Sequence, residues 1–167
     1  AGVFYPPAPM QKRAWLPRNP RRKKNLIASV LLGVLIAVEW GASYDVFRSQ
    51  PLLSPISYWG DAQFAAALVS AAKRGDFVPF FPKALPSLGA PAIANWDDFP
   101  LNEDVLYYLV GVLARVVGTF GAINLAFLFA CVAAGVSLFL VARSFRAGLP
   151  GAFLAGQLYA LSGFMGS

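Results

Sequence analysis

Two long apolar runs, Leu26–Tyr44 and Ala122–Ala142, set the strongest limit on what this chain can become. The first, LIASVLLGVLIAVEWGASY, carries Glu39 as its only charge, and the second carries none until Arg143 and Arg146 follow it. At ~1.5 Å per residue, a helix over the first run reaches about 28 Å, close to the hydrocarbon thickness of a bilayer. Overall, 57% of the residues are hydrophobic and 13% are charged. Soluble domains average about 45–50% and about 25%. A fold in water would have trouble covering so much apolar surface, whereas lipid removes the problem. The fold class this predicts is an all-α integral membrane protein. It has two full transmembrane helices, part of a third, and a long outer loop carrying short interfacial helices.

Charge is partitioned along the chain. Residues 1–38 hold Lys12, Arg13, Arg18, Arg21, Arg22, Lys23 and Lys24 and no acid. All eight acids lie in residues 39–104, and residues 105–167 carry only Arg115, Arg143 and Arg146. A basic segment abutting a hydrophobic helix points to positive-inside anchoring and contact with anionic headgroups rather than to nucleic acid. The absence of histidine excludes a Ser-His-Asp triad and His-ligated zinc or haem within this chain. The single cysteine, Cys131, excludes an internal disulfide framework and reads as a small buried hydrophobe.

The expected organisation follows from these runs. Residues 1–25 form a basic, proline-rich cytoplasmic tail that runs extended, and residues 26–44 the first transmembrane helix. Residues 45–120 form a non-cytoplasmic loop with helices near 61–74 and 102–118. In DAQFAAALVSAAKR, Phe64, Leu68 and Ala72 repeat at i, i+4, i+8, and Gly75 supplies a stop. Asn102 is the expected N-cap of the next helix, with Glu103 and Asp104 in its first turn. The apolar part of that helix is short for a span and is interrupted by Arg115. If it crossed the bilayer, Arg143 and Arg146 would fall outside, so it is read as interfacial. Residues 121–143 are the second span. Gly148-Leu-Pro150 is expected to be a tight turn, and residues 150–167 the start of a third span, rich in small residues.

The chemistry-bearing candidates are carboxylates. Asp61, in YWGDAQ, is either a helix N-cap or a carboxylate at the membrane surface acting as base or metal ligand. Asp97 and Asp98, in NWDDFP, are either a solvated turn before Pro100 or ligands for a divalent cation. Trp96 beside them either stacks on a sugar ring or sits at the interface. Glu39 snorkels, faces a protein neighbour or meets a ligand. Lys73, Arg74 and Arg115 either pair with a lipid phosphate or are solvated and snorkelling charges. Gln157 and Tyr159 read as interhelical polar contacts. No glycine grouping has the spacing of a phosphate-binding loop.

The order of these features resembles a known pattern. It comprises a basic tail, one membrane helix, a Gly60-Asp61 helix start, the stretch GAP…NWDDFP, an interfacial helix, and a membrane helix ending in arginines. The run AGLPGAFLAGQLYALSGF, from Ala147 to Phe164, closes it. Over residues 25–167 the chain resembles the N-terminal part of bacterial polytopic glycosyltransferases of the GT-C class, which use lipid-phosphate-linked sugars. The resemblance implies a location in the bacterial inner membrane with the N-terminus cytoplasmic. It implies Asp61 as catalytic or metal-linked aspartate, with Asp97 and Asp98 as a second acidic cluster that would share a Mg or Mn ion. The donor would be a polyprenyl-phosphate sugar with its phosphate near Arg74 or Arg115. Members of the class carry many more membrane helices, so residues 1–167 alone lack an acceptor site and are expected to be inactive without a continuing chain. The alternative is a non-catalytic accessory or structural subunit of a larger respiratory or photosynthetic type of membrane complex, docked to partner subunits.

Overall fold

The computed structural model describes residues 20–44, 54, 61–76, 78–80, 84–85, 94–95 and 103–162. Within these the regular structure is helical except for a two-residue ladder, joined by turns. The helices are α1 (Pro20–Ser43), α2 (Asp61–Arg74), α3 (Asp104–Val117), α4 (Thr119–Ser144) and α5 (Leu149–Ala160). The ladder pairs β1 (Ala84–Leu85) antiparallel to β2 (Ala94–Asn95), with Ala84 opposite Asn95. Two-residue strands have no period for a sequence reading to detect, and the ladder was not anticipated.

Two helices, over Arg21–Ser43 and Thr119–Ser144, are long and apolar enough to cross a membrane. α1 starts earlier than its apolar run. Residues 20–24, expected to be extended, are helical. Arginine and lysine are good helix formers, and proline suits a first helical position. At its other end α1 stops at Ser43, and Tyr44 turns back with its N–H on the Trp40 carbonyl at 3.1 Å.

α1, α4 and α5 form one bundle. On α1, Ala28, Leu32, Ile36 and Trp40 recur every four residues and are all buried, against Cys131 and Phe139 of α4 and Ala152 and Ala160 of α5. The opposite face, with Leu26, Ile27, Val30, Leu31, Val34 and Val38, is at least half exposed. Small residues set the spacing. A Cβ on Gly156 would stand 2.6 Å from the Gly135 carbonyl oxygen, and one on Gly135 would stand 2.9 Å from that of Gly156. No side chain fits there, so the α4 and α5 backbones touch, as small-residue stripes permit in membrane helices. At one end of α1 and α4, Trp40, Tyr44 and Phe127 cluster with ring centroids 5.4, 6.1 and 5.9 Å apart. At the other, Arg143 donates through Nε to the Asn25 side-chain oxygen at 3.1 Å and through Nη1 to the Ala147 carbonyl. α1 and α4 are therefore antiparallel, and Arg21–Lys24 share an end of the bundle with Arg143 and Arg146.

α2 and α3 form the second unit. Phe64 meets Tyr107, a Cβ on Gly111 would meet the Ala72 Cβ at 2.4 Å, and Arg115 reaches Lys73. Both positions rise together in each pair, so the two helices run parallel. Val69, Val110 and Ala114 pack on Ala122 of α4, and the Ser70 and Thr119 hydroxyls lie 3.3 Å apart. The pair thus sits beside the first turns of α4, at the end of the bundle opposite Arg146. Asn124, buried in α4, donates to the Ser54 carbonyl at 3.0 Å and ties the chain after α1 to the same end.

Two expectations change at helix ends. The capping position of α3 is Glu103, with no side-chain cap bond, and Asn102 lies outside the described residues. The turn between α4 and α5 runs over Phe145–Gly148, and Leu149 and Pro150 already belong to α5. Proline fits there because the first helical turn needs no donor from it. α5 has 12 residues in its described helix. At ~1.5 Å per residue that is about 18 Å, less than a bilayer core; residues 163–167 lie outside the described residues.

Candidate functional site

α2 carries the candidate catalytic carboxylate at one end and candidate phosphate-binding cations at the other. Asp61 is its first residue, a position where the helix dipole favours a negative charge. Its side chain lies outside the described residues. So do Trp96, Asp97 and Asp98, which follow directly on the Ala94–Asn95 strand. No group of three or more acidic, cysteine or histidine side chains is close enough to hold a metal ion among the described residues. The proposed ligands Asp97 and Asp98 are not among those residues.

The basic residues have visible work. Gly75 ends α2 in the left-handed region at φ +87°. Its N–H bonds the Ala72 carbonyl at 3.1 Å, and the Asp76 N–H bonds that of Ala71 at 3.0 Å, the paired bonds of a Schellman cap. Arg115 Nε donates to the Lys73 carbonyl at 3.2 Å and satisfies another free acceptor of that helix end. Arg74 Nε lies 3.2 Å from Asp76 Oδ2 in an exposed ion pair. Since α2 and α3 are parallel, Glu103 and Asp104 start one helix beside the start of the other, and Lys73, Arg74 and Arg115 gather where both end. Acid at the N-termini and base at the C-termini matches both dipoles. Asp61 and Arg74 are separated by the length of a 14-residue helix, about 20 Å at the standard rise. The structure therefore brings Arg74 and Arg115 together and leaves Asp61 at the far end.

A groove of about 780 Å³ opens between α2, α3 and α4, lined by Val69, Leu106, Leu109, Leu113, Ile123 and Phe129 among others. Among the described residues Tyr107 is its only polar lining side chain. Such a groove suits hydrocarbon, and among the described residues it offers no carboxylate or cation. Sequence reasoning missed it because its walls come from three helices, each apolar for its own packing.

Inside the bundle, Gln157 Nε2 donates to Glu39 Oε1 at 2.7 Å. Gln157 is an interhelical contact, as its place in an apolar helix predicts. That its partner would be Glu39, 118 positions away, had no sequence signal. Glu39 Oε2 and Trp40 Nε1 are buried and have no hydrogen-bond partner among the described residues. Tyr159 faces outward, 45% exposed.

No protein-family model matches this chain, and no curated protein or solved structure shows significant similarity to it.

Proposed function

We propose that this chain is the N-terminal membrane module of a glycosyltransferase of the GT-C kind. In this reading it sits in the bacterial inner membrane with its N-terminus cytoplasmic. The enzyme moves a sugar from a polyprenyl-phosphate donor to an acceptor on the non-cytoplasmic side. The observation that carries the reading is the placement of α2, the helix that Asp61 begins. Its second half, through Val69 and Ser70, packs beside the first turns of α4, at the end of the bundle opposite Arg143 and Arg146. The positive-inside rule puts that end of a membrane bundle on the non-cytoplasmic side.

Asp61 takes the proton of an acceptor hydroxyl while that oxygen attacks the anomeric carbon. The bond from that carbon to the phosphate oxygen breaks, and the lipid phosphate leaves with the electron pair. The apolar groove beside α2 fits the hydrocarbon tail of such a donor. A leaving phosphate is bonded to the carbon under attack, so cations a helix length from Asp61 do not touch it. Arg74 and Arg115 are accordingly assigned to the end of α2 rather than to the donor. Asp97, Asp98 and a divalent cation remain a second element of the proposal, with Trp96 as the surface for the sugar ring.

The test is sugar transfer by the full-length protein carrying Asp61→Asn. Loss of a general base predicts a rate lower by about 100-fold or more, with the protein still folded and in the membrane. Transfer at the normal rate would sink the assignment. If that variant is indifferent and the chain purifies in fixed proportion with other membrane proteins, it is an accessory subunit.

A further inference from the structure

Two helices of this molecule end in the same cap with different residues at its strained position. In α2 the left-handed residue is Gly75, the usual choice because glycine has no Cβ to clash. In α4 the Arg146 N–H bonds the Arg143 carbonyl at 3.1 Å, and the Ala147 N–H bonds that of Ala142 at 3.0 Å. The bonding is that of the α2 cap, but the left-handed residue is Arg146, at φ +66°. An arginine there costs backbone energy that glycine would avoid. The turn after α4 does not explain it, because Arg143 already fixes that turn by bonding the Ala147 carbonyl. The Arg146 side chain is exposed and bonds to nothing among the described residues. A retained outlier of this kind points to a use for the side chain.

Its surroundings say what use. The bond from Arg143 to Asn25 holds the start of α1 beside the end of α4. Arg22, Lys23 and Lys24, all exposed, immediately precede Asn25. No acid lies in residues 1–38 or 105–167, so among the described residues the charge at this end of the bundle is purely basic. Next to Arg146, the Phe145 ring is 82% exposed. An unshielded aromatic ring beside unpaired cations, at the end of two apolar helices, matches a bilayer interface. There the ring enters the acyl boundary and the cations meet phosphate.

We propose that Phe145–Ala147 and Arg22–Lys24 together form a site for the phosphate of an anionic phospholipid headgroup, with Arg146 as its principal contact. This rests on α1 and α4 crossing a bilayer and is independent of any catalysis. The full chain would be reconstituted into nanodiscs of phosphatidylcholine containing a minor fraction of phosphatidylglycerol. Retained phosphatidylglycerol would be counted by native mass spectrometry after release. Arg146→Gly is expected to keep or raise the melting temperature, since it relieves the left-handed strain. It is also expected to lower phosphatidylglycerol retention by about fivefold, the weight of one basic contact at a membrane surface. Arg146→Lys should retain most of the binding.

Unchanged phosphatidylglycerol retention in Arg146→Gly, with normal incorporation, would overturn the headgroup site and leave the membrane reading intact. A chain that does not enter nanodiscs at all would overturn both. If Arg146→Gly keeps its phosphatidylglycerol but releases a co-purifying protein, the cluster belongs to a protein interface and the proposal fails.

Discussion

The α1/α4/α5 bundle and the α2/α3 pair both depend on a glycine pressed against a neighbouring helix, but their surroundings differ. In the bundle, Gly135 and Gly156 lie among apolar side chains. The outward face of α1 is a continuous strip of exposed Leu, Ile and Val. Such a strip suits a hydrocarbon solvent. Apart from Glu39, which is bonded to Gln157 inside the bundle, its charge among the described residues lies at one end and is basic. In the α2/α3 pair, Gly111 lies against Ala72 and Lys73, and acid and base alternate with the direction of the helix dipoles. The difference teaches where each unit draws its stability. The bundle relies on close packing and one internal polar contact. The pair adds charged and polar groups at its ends, as a unit exposed to water can.

Substitutions at the two glycine contacts should break this comparison most strongly. Gly156→Ala puts a methyl group 2.6 Å from the Gly135 backbone. It should cost about 2–3 kcal/mol, seen as a lower detergent-denaturation midpoint and faster hydrogen exchange in α5. Gly111→Ala should cost about 1–3 kcal/mol, because the Ala72 Cβ would stand 2.4 Å from the new atom. Its exchange signature should be confined to α2 and α3. Equal loosening of α1 after Gly111→Ala would show that the two units are a single cooperative one.

Smaller effects sharpen the contrast. Gln157→Leu removes the donor to Glu39. It should lower stability by about 1–2 kcal/mol, with Glu39→Gln in the same background recovering part of the loss. Arg115→Ala removes one exposed bond to the end of α2. It should cost about 0.5–1 kcal/mol, read as fraying of the last turn of that helix. Asp76→Ala, at the exposed ion pair with Arg74, should fall below about 0.5 kcal/mol in thermal unfolding.

Features repeated along one helix were legible in the sequence, and features made by distant pairings were not. Phe64, Leu68 and Ala72 mark a helix over Asp61–Arg74, and Gly75 marks its end, because each signal is local. The long apolar runs of α1 and α4 are equally local. The start of α1 at Pro20 was not legible because the prolines and charge of residues 1–24 point to an extended tail, although arginine and lysine favour helix once the prolines end. The cap at Arg146 was invisible because glycine is the signal for that geometry and arginine holds the place. The Glu39–Gln157 bond and the groove between α2, α3 and α4 need the fold to exist first. For the candidate site, Asp61 was placed at a helix start, but the separation of Arg74 from it follows only once both are seen on one straight helix.

The central claim is the arrangement of ends: Lys23 and Arg146 on one side of a bilayer, and Arg74 on the other. Single cysteines at these positions, in a Cys131→Ala background, would be probed in intact cells with a membrane-impermeant maleimide. The account predicts that Arg74→Cys is labelled at once, and that Lys23→Cys and Arg146→Cys are labelled only after the membrane is opened. Labelling of Lys23→Cys and Arg146→Cys from opposite sides would mean an odd number of crossings between them, and would contradict the account.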